Sequence, residues 1–279
     1  MAELDIRPLA PALGAEIRGV NLSEPLDDDT IAAIRAAWLD HLVLVFPDQH
    51  LTEKQQVRFA EYLGEPVGSR SMERTDDRAE SDTRVMLITN IRDKGKPIGV
   101  LPDGELQFHT DSVYLEKPLM GAMLFGEEIP SEGGHTLFVN MYTAYETLPD
   151  ETKARLDGKR AVNVFDYAVQ VKSGKLDRDK VKQAVHPAVR THPETGRKAL
   201  YVNRLMTEEF VDMAPDESEA LLHELYAHAE QRRFIYEHVW KKGDLLMWDN
   251  RCTMHARTDF PAGETRLLRR VGLEGDVPF

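Results

Sequence analysis

His109-Thr110-Asp111 and, far downstream, His255 offer two imidazoles and one carboxylate. That ligand set holds a ferrous ion on one side and leaves the opposite positions open for a substrate and oxygen. The spacing suits a strand, where side chains at i and i+2 project from one face, so His109 and Asp111 can converge on one metal. On a helix the same spacing turns them roughly 200° apart, and no shared ion forms. By itself His-x-Asp is a weak signal. The chain has 10 His, with near-copies of the pattern at His192-Pro193-Glu194 and His228-Ala229-Glu230. The first copy lies in a turn, Thr191 to Gly196, that reads as a hairpin loop. The second lies in an amphipathic helix, where i and i+2 diverge.

The elements around these residues must bring two remote strands together. Residues 106–111 read as the strand of the first pair, and residues 253–256 as the strand of His255. Further strands are expected near 6–22, at 42–46, 85–89, 122–125, 136–139, 233–239, 244–248 and 266–273. Helices are expected at 28–40, from the capping box Thr52/Gln55 to Gly64, as a hairpin over 141–156 stopped by Gly158, and at 215–230. Residues 70–105 are polar and then rich in Gly and Pro; they lead directly into the metal strand and read as an active-site lid. Many short strands, helices between them and no βαβ alternation predict a mainly β fold with flanking helices. The expected core is a double-stranded β-helix, a jelly roll of the cupin-like kind, in a single domain over 1–279. No Gly-x-Gly-x-x-Gly follows any strand, which argues against a dinucleotide fold.

Hydrophobic residues make up 42% of the 279 positions, enough for a well-buried core. A net charge of −13 argues against nucleic acid and against an anionic membrane surface as partners. An anionic small molecule needs only one or two local arginines. Cys252 is the only cysteine, so no internal disulfide can form, which suits a reducing compartment. It is a poor candidate for a nucleophile. The N-terminus lacks the basic and apolar stretches of a signal peptide, and no apolar run reaches the ~18 residues of a membrane span. The expected location is the cytoplasm.

Several segments then fit one pattern. Phe108-His109-Thr110-Asp111, Pro130-Ser131-Glu132-Gly133-Gly134-His135-Thr136, the run from Trp248-Asp249-Asn250-Arg251 to Thr253 and His255, and the pair Arg266 and Arg270 together resemble the taurine/2,4-dichlorophenoxyacetate dioxygenase family. The segments from Ala15 to Asn21 and from Thr195 to Asn203 fit the same family, so the likeness runs from Leu9 to Phe279. The resemblance implies a non-haem, Fe(II)- and 2-oxoglutarate-dependent dioxygenase that consumes O2, hydroxylates a small anionic organic substrate and releases succinate and CO2. Where the new hydroxyl sits beside a heteroatom, hydroxylation also cleaves the molecule. Sulfonates, alkyl sulfates and aryloxyalkanoates are the implied substrates, and a homodimer or homotetramer is the implied assembly.

Carried over position by position, His109, Asp111 and His255 look like the iron ligands. Thr136 and Arg266 look like anchors for the far carboxylate of 2-oxoglutarate, a guanidinium and a hydroxyl being suited to that group. Arg270, on the same face as Arg266 if the strand alternates evenly, is expected near the metal-proximal carboxylate and the anionic end of the substrate. Arg269 would then point outward as a surface charge. Asn90 either contacts the co-substrate or is an ordinary strand-end amide. Ser112 and Tyr114 are expected at the substrate cavity, with Tyr114 as a plain core aromatic the alternative. Phe165, Asp166 and Tyr167 are expected on its far wall, and Trp248 packs beside the site. Taurine-specific members carry a histidine soon after the second helix. Here that stretch, Glu65 to Ser71, has none, which argues against taurine.

Other readings stay open at this level. The same machinery can serve a biosynthetic hydroxylation or desaturation of an amino-acid-like acid. Two imidazoles and a carboxylate could also hold zinc in a hydrolase, although no paired general base is evident. A non-catalytic metal-binding β-barrel is the remaining alternative.

Overall fold

The computed structural model describes residues 4–68, 82–101, 104–165 and 181–279. Strands β1 (Asp5–Pro8) and β2 (Ala15–Arg18) open the chain. Helix α1 (Asp28–His41) begins where the Asp27 side chain accepts the Thr30 amide, and ends at Leu42, whose φ of 65° turns the chain into β3 (Val43–Phe46). Thr52 and Gln55 form the expected capping box of α2 (Glu53–Glu61). Next come β4 (Pro66–Val67), β5 (Met86–Thr89), a small hairpin of β6 (Arg92–Asp93) and β7 (Lys96–Pro97), and β8 (Leu106–His109). The long β9 (Gly121–Glu128) and β10 (Thr136–Asn140) lead into helices α3 (Met141–Glu146) and α4 (Asp150–Leu156). After them run β11 (Arg160–Val164), β12 (Gln183–Pro187), the hairpin β13 (Val189–Thr191) and β14 (Lys198–Leu200), and β15 (Thr207–Phe210). Helix α5 (Pro215–Ala229) precedes β16 (Ile235–His238), β17 (Leu245–Asp249), β18 (Thr253–Arg257) and β19 (Leu267–Leu273).

The protein is mainly β with few helices. One sheet has the order β1-β2-β3-β17-β9-β19-β4, with β5 also paired to β19; a four-stranded sheet has the order β16-β10-β18-β8. Only the β2–β3 pair in these two sheets is parallel. The unbroken apolar runs of the larger sheet have a simple cause: both of its faces are covered. Val43, Val45, Ala122, Leu124, Leu246 and Trp248 enter one cluster, shared with Phe138 and Met254 of the four-stranded sheet and with α3 and α5. Their neighbours Leu44, Phe46, Met123, Phe125, Leu245 and Met247 enter the other, beneath α1 and α2. The period of two is intact, but each residue of the pair meets a core. Among the described residues, no helix is long and apolar enough to cross a membrane.

Three expectations change. The metal strand stops at His109, and Asp111 lies in the turn beyond it, where Ser112 has φ 57°. The segment 70–105, expected to carry the strand at 85–89 and otherwise only loop, also contains the β6–β7 hairpin. A further sheet, β12-β11-β15, is not foreshadowed by apolar alternation. Its strands carry Arg160, Asn163, Gln183, Glu208 and Glu209, which blur the periodic signal.

Candidate metal centre and its cavity

Strands β8 and β18 are hydrogen-bonded neighbours, and His255 stands opposite His109 in their register. The two imidazole centroids lie 4.2 Å apart. Asp111 reaches the same place from the turn, so a change of direction after β8, not strand alternation, aims its carboxylate. Asn250 holds that turn. Its Oδ1 accepts the Asp111 amide at 2.9 Å, and its Nδ2 donates to the carbonyls of Asp111 at 3.0 Å and Leu119 at 2.9 Å. Candidate ligand atoms of His109, Asp111 and His255 all lie within 4.8 Å of one another.

The donor set suits a ferrous ion. His109 Nδ1 lies 2.9 Å from the Gln107 carbonyl, which can only accept, so Nδ1 carries the proton and Nε2 keeps its lone pair. That Nε2 is 3.9 Å from Asp111 Oδ1. His255 Nδ1 is buried without a hydrogen-bond partner. Burial is the main reason both rings stay neutral: it lowers His109, and, with His109 beside it, lowers His255 to about 3. For Asp111 burial pushes the other way, but the charge and hydrogen bond of Arg270 oppose it and favour the ionised carboxylate, which is held well below its usual range. Arg270 Nη2 donates to Asp111 Oδ2 at 2.6 Å. Two neutral imidazoles and one carboxylate are thus ready to ligate without losing a proton.

The triad opens on a cavity of about 130 Å³. Met86, Ile88, Val100, Leu101, Leu106 and Leu119 make much of its wall apolar, and Arg257, Arg266 and Arg270 add guanidinium groups. Arg266 is 2% exposed. Its Nε and Nη2 donate to the Gly134 carbonyl at 3.3 and 3.2 Å, while Nη1 has no partner. Burial, then the nearby charge of Arg257, lowers Arg266 to about 9, still cationic at neutral pH. A buried cation in that condition is a place for an anion. The two glycines before Thr136 make this arrangement possible. A Cβ on Gly133 (φ 69°) would collide with the Asp259 carbonyl, and one on Gly134 (φ 64°) would lie 3.1 Å from Arg266 Nε.

The structure gathers most, but not all, of the anticipated residues. Thr136, Arg266, Arg270, Ser112 and Tyr114 line the cavity with the triad. Phe165 does not; its ring packs on Tyr114 at 4.4 Å. Asn90 is not in the lining either. Its Oδ1 accepts the Arg266 amide at 3.0 Å and its Nδ2 donates to the Glu264 carbonyl at 2.8 Å, which makes it a strand-end brace. Asp166 and Tyr167 lie outside the described residues, as do 70–81 and 102–103 of the segment read as a lid. Arg269 is not a surface charge. It is 4% exposed, pairs with Glu127 at 3.1 Å, donates to the Leu51 carbonyl and covers the Phe125 ring. Arg257 went unnoticed in the sequence, although it stands two residues after His255 on one strand, the spacing that shares a face.

His192 is in a hairpin turn as expected, yet it is 1% exposed and joins Asp249 and Cys252 in a second close group. That group has no ligand to spare. His192 Nδ1 accepts the amides of Glu194 and Thr195, and Nε2 donates to Asp249 Oδ2 at 3.0 Å. Both Asp249 oxygens also accept from Arg251, whose Nη1 reaches Glu194. Burial, with Asp249 nearby, raises the Cys252 thiol. The group is a buried knot that fixes the β17–β18 turn.

Known proteins resemble this chain over nearly its whole length. Residues 5–271 match the family model described as taurine catabolism dioxygenase TauD, TfdA family. An (S)-phenoxypropionate/alpha-ketoglutarate-dioxygenase of Sphingobium herbicidovorans is 35% identical over 283 residues, covering 98% of this chain and 95% of that protein. An alpha-ketoglutarate-dependent sulfate ester dioxygenase of Pseudomonas putida is 34% identical over 292 residues, covering 99% and 91%. The crystal structure of a taurine dioxygenase from Burkholderia xenovorans superposes with a TM-score of 0.84 at 34% identity, covering 99% of this chain and 91% of that one.

Proposed function

The chain belongs to the TauD/TfdA family of Fe(II)/2-oxoglutarate-dependent dioxygenases, and from that premise we propose that it hydroxylates a small organic anion with an apolar body. The two large sheets are then the halves of a double-stranded β-helix in one domain over 1–279, and Val100 and Leu101, from the described part of the segment read as a lid, face its cavity. His109, Asp111 and His255 hold the ferrous ion. When bound, that ion supplies the oxygen chemistry that 2-oxoglutarate and O2 drive, one oxygen atom ending in succinate and the other in the hydroxylated product, with CO2 released.

The chain's own residues bind, orient and exclude water. Arg266 and Thr136 grip the far carboxylate of 2-oxoglutarate, which supplies the counter-anion that the buried guanidinium lacks. Arg270, already paired with Asp111, orients that carboxylate and faces the anionic end of the substrate. Ser112 and Tyr114 line the substrate's path, and Phe165 supports Tyr114 from behind. The apolar wall favours an aryl or alkyl body, as in an aryloxyalkanoate or alkyl sulfate, over a small polar sulfonate such as taurine. In such substrates the hydroxylated carbon bears an oxygen, so the product collapses to a carbonyl compound and a phenol or sulfate.

One observation carries the reading: a triad with the donor chemistry of a ferrous site opens on the same cavity as an arginine that has no counter-ion among the described residues. The test is anaerobic loading with Fe(II) and 2-oxoglutarate, followed by a screen of aryloxyalkanoates, alkyl sulfates and sulfonates for substrate-dependent succinate release. Asp111→Ala is expected to lose the charge-transfer absorption of the loaded protein. Retention of that band would overturn the ligand assignment, and release stimulated by taurine alone would overturn the substrate class.

A further inference from the structure

Thr136 is 3% exposed, lines the cavity, and places its Oγ1 2.9 Å from the indole Nε1 of Trp240. An indole nitrogen can only donate, so the Thr136 oxygen is the acceptor in this bond. The Thr136 hydrogen is left for some other acceptor, and none is present among the described residues. Arg266 Nη1, in the same lining, is likewise a donor without an acceptor. Two unspent donors in one small cavity prescribe an anion that accepts from both.

Trp240 is itself held in place. It is 5% exposed, and the His238 ring meets it edge-on with centroids 4.7 Å apart. His238 Nδ1 accepts the Tyr236 hydroxyl at 2.9 Å, so Nε2 is the donor to Asp244 Oδ2 at 3.1 Å. The same Asp244 oxygen accepts the Lys241 amide at 2.9 Å, closing the turn that carries Trp240. An imidazole, a carboxylate and a backbone amide thus fix an indole whose N–H points at one hydroxyl.

Resting on the reading that the far carboxylate of an oxo acid lies against Thr136 and Arg266, we propose that Trp240 is a positioning residue for the co-substrate. Its N–H occupies a lone pair of Thr136 and so presents the hydroxyl to the cavity as a donor. Without that N–H the hydroxyl is free to rotate and can turn a lone pair toward the carboxylate, which an anion repels. Trp240 never touches the co-substrate; it acts through the orientation of one hydrogen. Because donating to an anion makes an oxygen a better acceptor, occupancy of the cavity should also strengthen the Trp240–Thr136 bond.

The probe is N-oxalylglycine, an unreactive oxo acid with both carboxylates, titrated calorimetrically into Mn(II)-loaded protein. Trp240→Phe keeps an aromatic ring and removes the donor; it should weaken binding by about fivefold to tenfold, the scale of one hydrogen bond. Binding of Mn(II), and of 2-oxobutyrate, which has no far carboxylate, should stay unchanged. In a Thr136→Val background the Phe substitution should add nothing further. Equal weakening of all three ligands would show a merely structural role and overturn the proposal. If Thr136→Val weakens N-oxalylglycine and Trp240→Phe does not, the proposal alone fails; if neither does, the underlying assignment of the carboxylate anchor fails with it. A second measurement needs no variant. In Zn(II)-loaded protein with 15N-labelled tryptophan, N-oxalylglycine should move the Trp240 indole resonance downfield and 2-oxobutyrate should not. A resonance unmoved by N-oxalylglycine would overturn the proposal.

Discussion

Asn250 carries no reactive group, yet it settles where Asp111 points. Its amide takes three hydrogen bonds from or to the backbone around the acid, all in a fully buried place. Replacing it with Ala should weaken Mn(II) binding by about 10- to 100-fold, the usual cost of losing an outer partner of a ligand, while the circular dichroism of the fold persists. Unchanged Mn(II) affinity would show that the turn holds itself. The triad was legible in the sequence because two imidazoles and an acid announce their chemistry by type. Asn250 announces nothing, since an amide in a turn is ordinary until its partners are known. Arg269 was misread for a physical reason: even alternation does aim it away from the cavity, but that side of the sheet is covered by α2 and Leu51 and is not solvent.

The β17–β18 turn is the element on which the site leans. Asp249, 1% exposed, is held by Arg251 and His192, and although burial pushes its carboxyl up, their hydrogen bonds and charge keep it well below the usual range. Arg251→Met strands this carboxylate without its main partner and should cost about 3–5 kcal/mol in a urea titration. A loss under about 1 kcal/mol would mean that His192 suffices by itself. The Gly133-Gly134 connection sets Arg266 in a comparable way. Gly133→Ala forces a Cβ against the Asp259 carbonyl at a positive φ, so it should cost more than about 1 kcal/mol and weaken N-oxalylglycine binding. Normal stability with normal binding would refute that role. Elements with strong apolar alternation or a capping box were visible in the sequence. The β12-β11-β15 sheet was not, because Asn163, Gln183, Glu208 and Glu209 interrupt the apolar pattern of its strands.

For the molecule as a whole, the buried rings impose a pH dependence. Burial, first among the causes, lowers His109, His186 and His255, the last to about 3, so the folded protein resists protons that the unfolded chain binds near an ordinary imidazole value of about 6.5. A lowered folded value means stability present above about 6.5 and lost as pH falls from there toward about 3. Between about pH 7 and about pH 5, protonation of the unfolded chain at His255 should cost the metal-free protein on the order of 2 kcal/mol, with His109 and His186 adding in the same direction, seen as a falling urea midpoint. Mn(II) should blunt that fall, since metal and proton compete for the same nitrogens. Identical midpoints at both pH values would contradict the neutral state of the rings.

The facing of His109 and His255 across one ladder has a last consequence. A slip of a single residue in either strand would swing an imidazole to the wrong side, so neither strand tolerates an insertion or deletion. Length can vary only in the connections, among them the stretch before Leu106 whose Met86, Ile88, Val100 and Leu101 touch whatever enters. Descendants of this chain are therefore free to acquire new diets by rewriting loops, while the spot at which a molecule is attacked stays locked in the weave of the sheet.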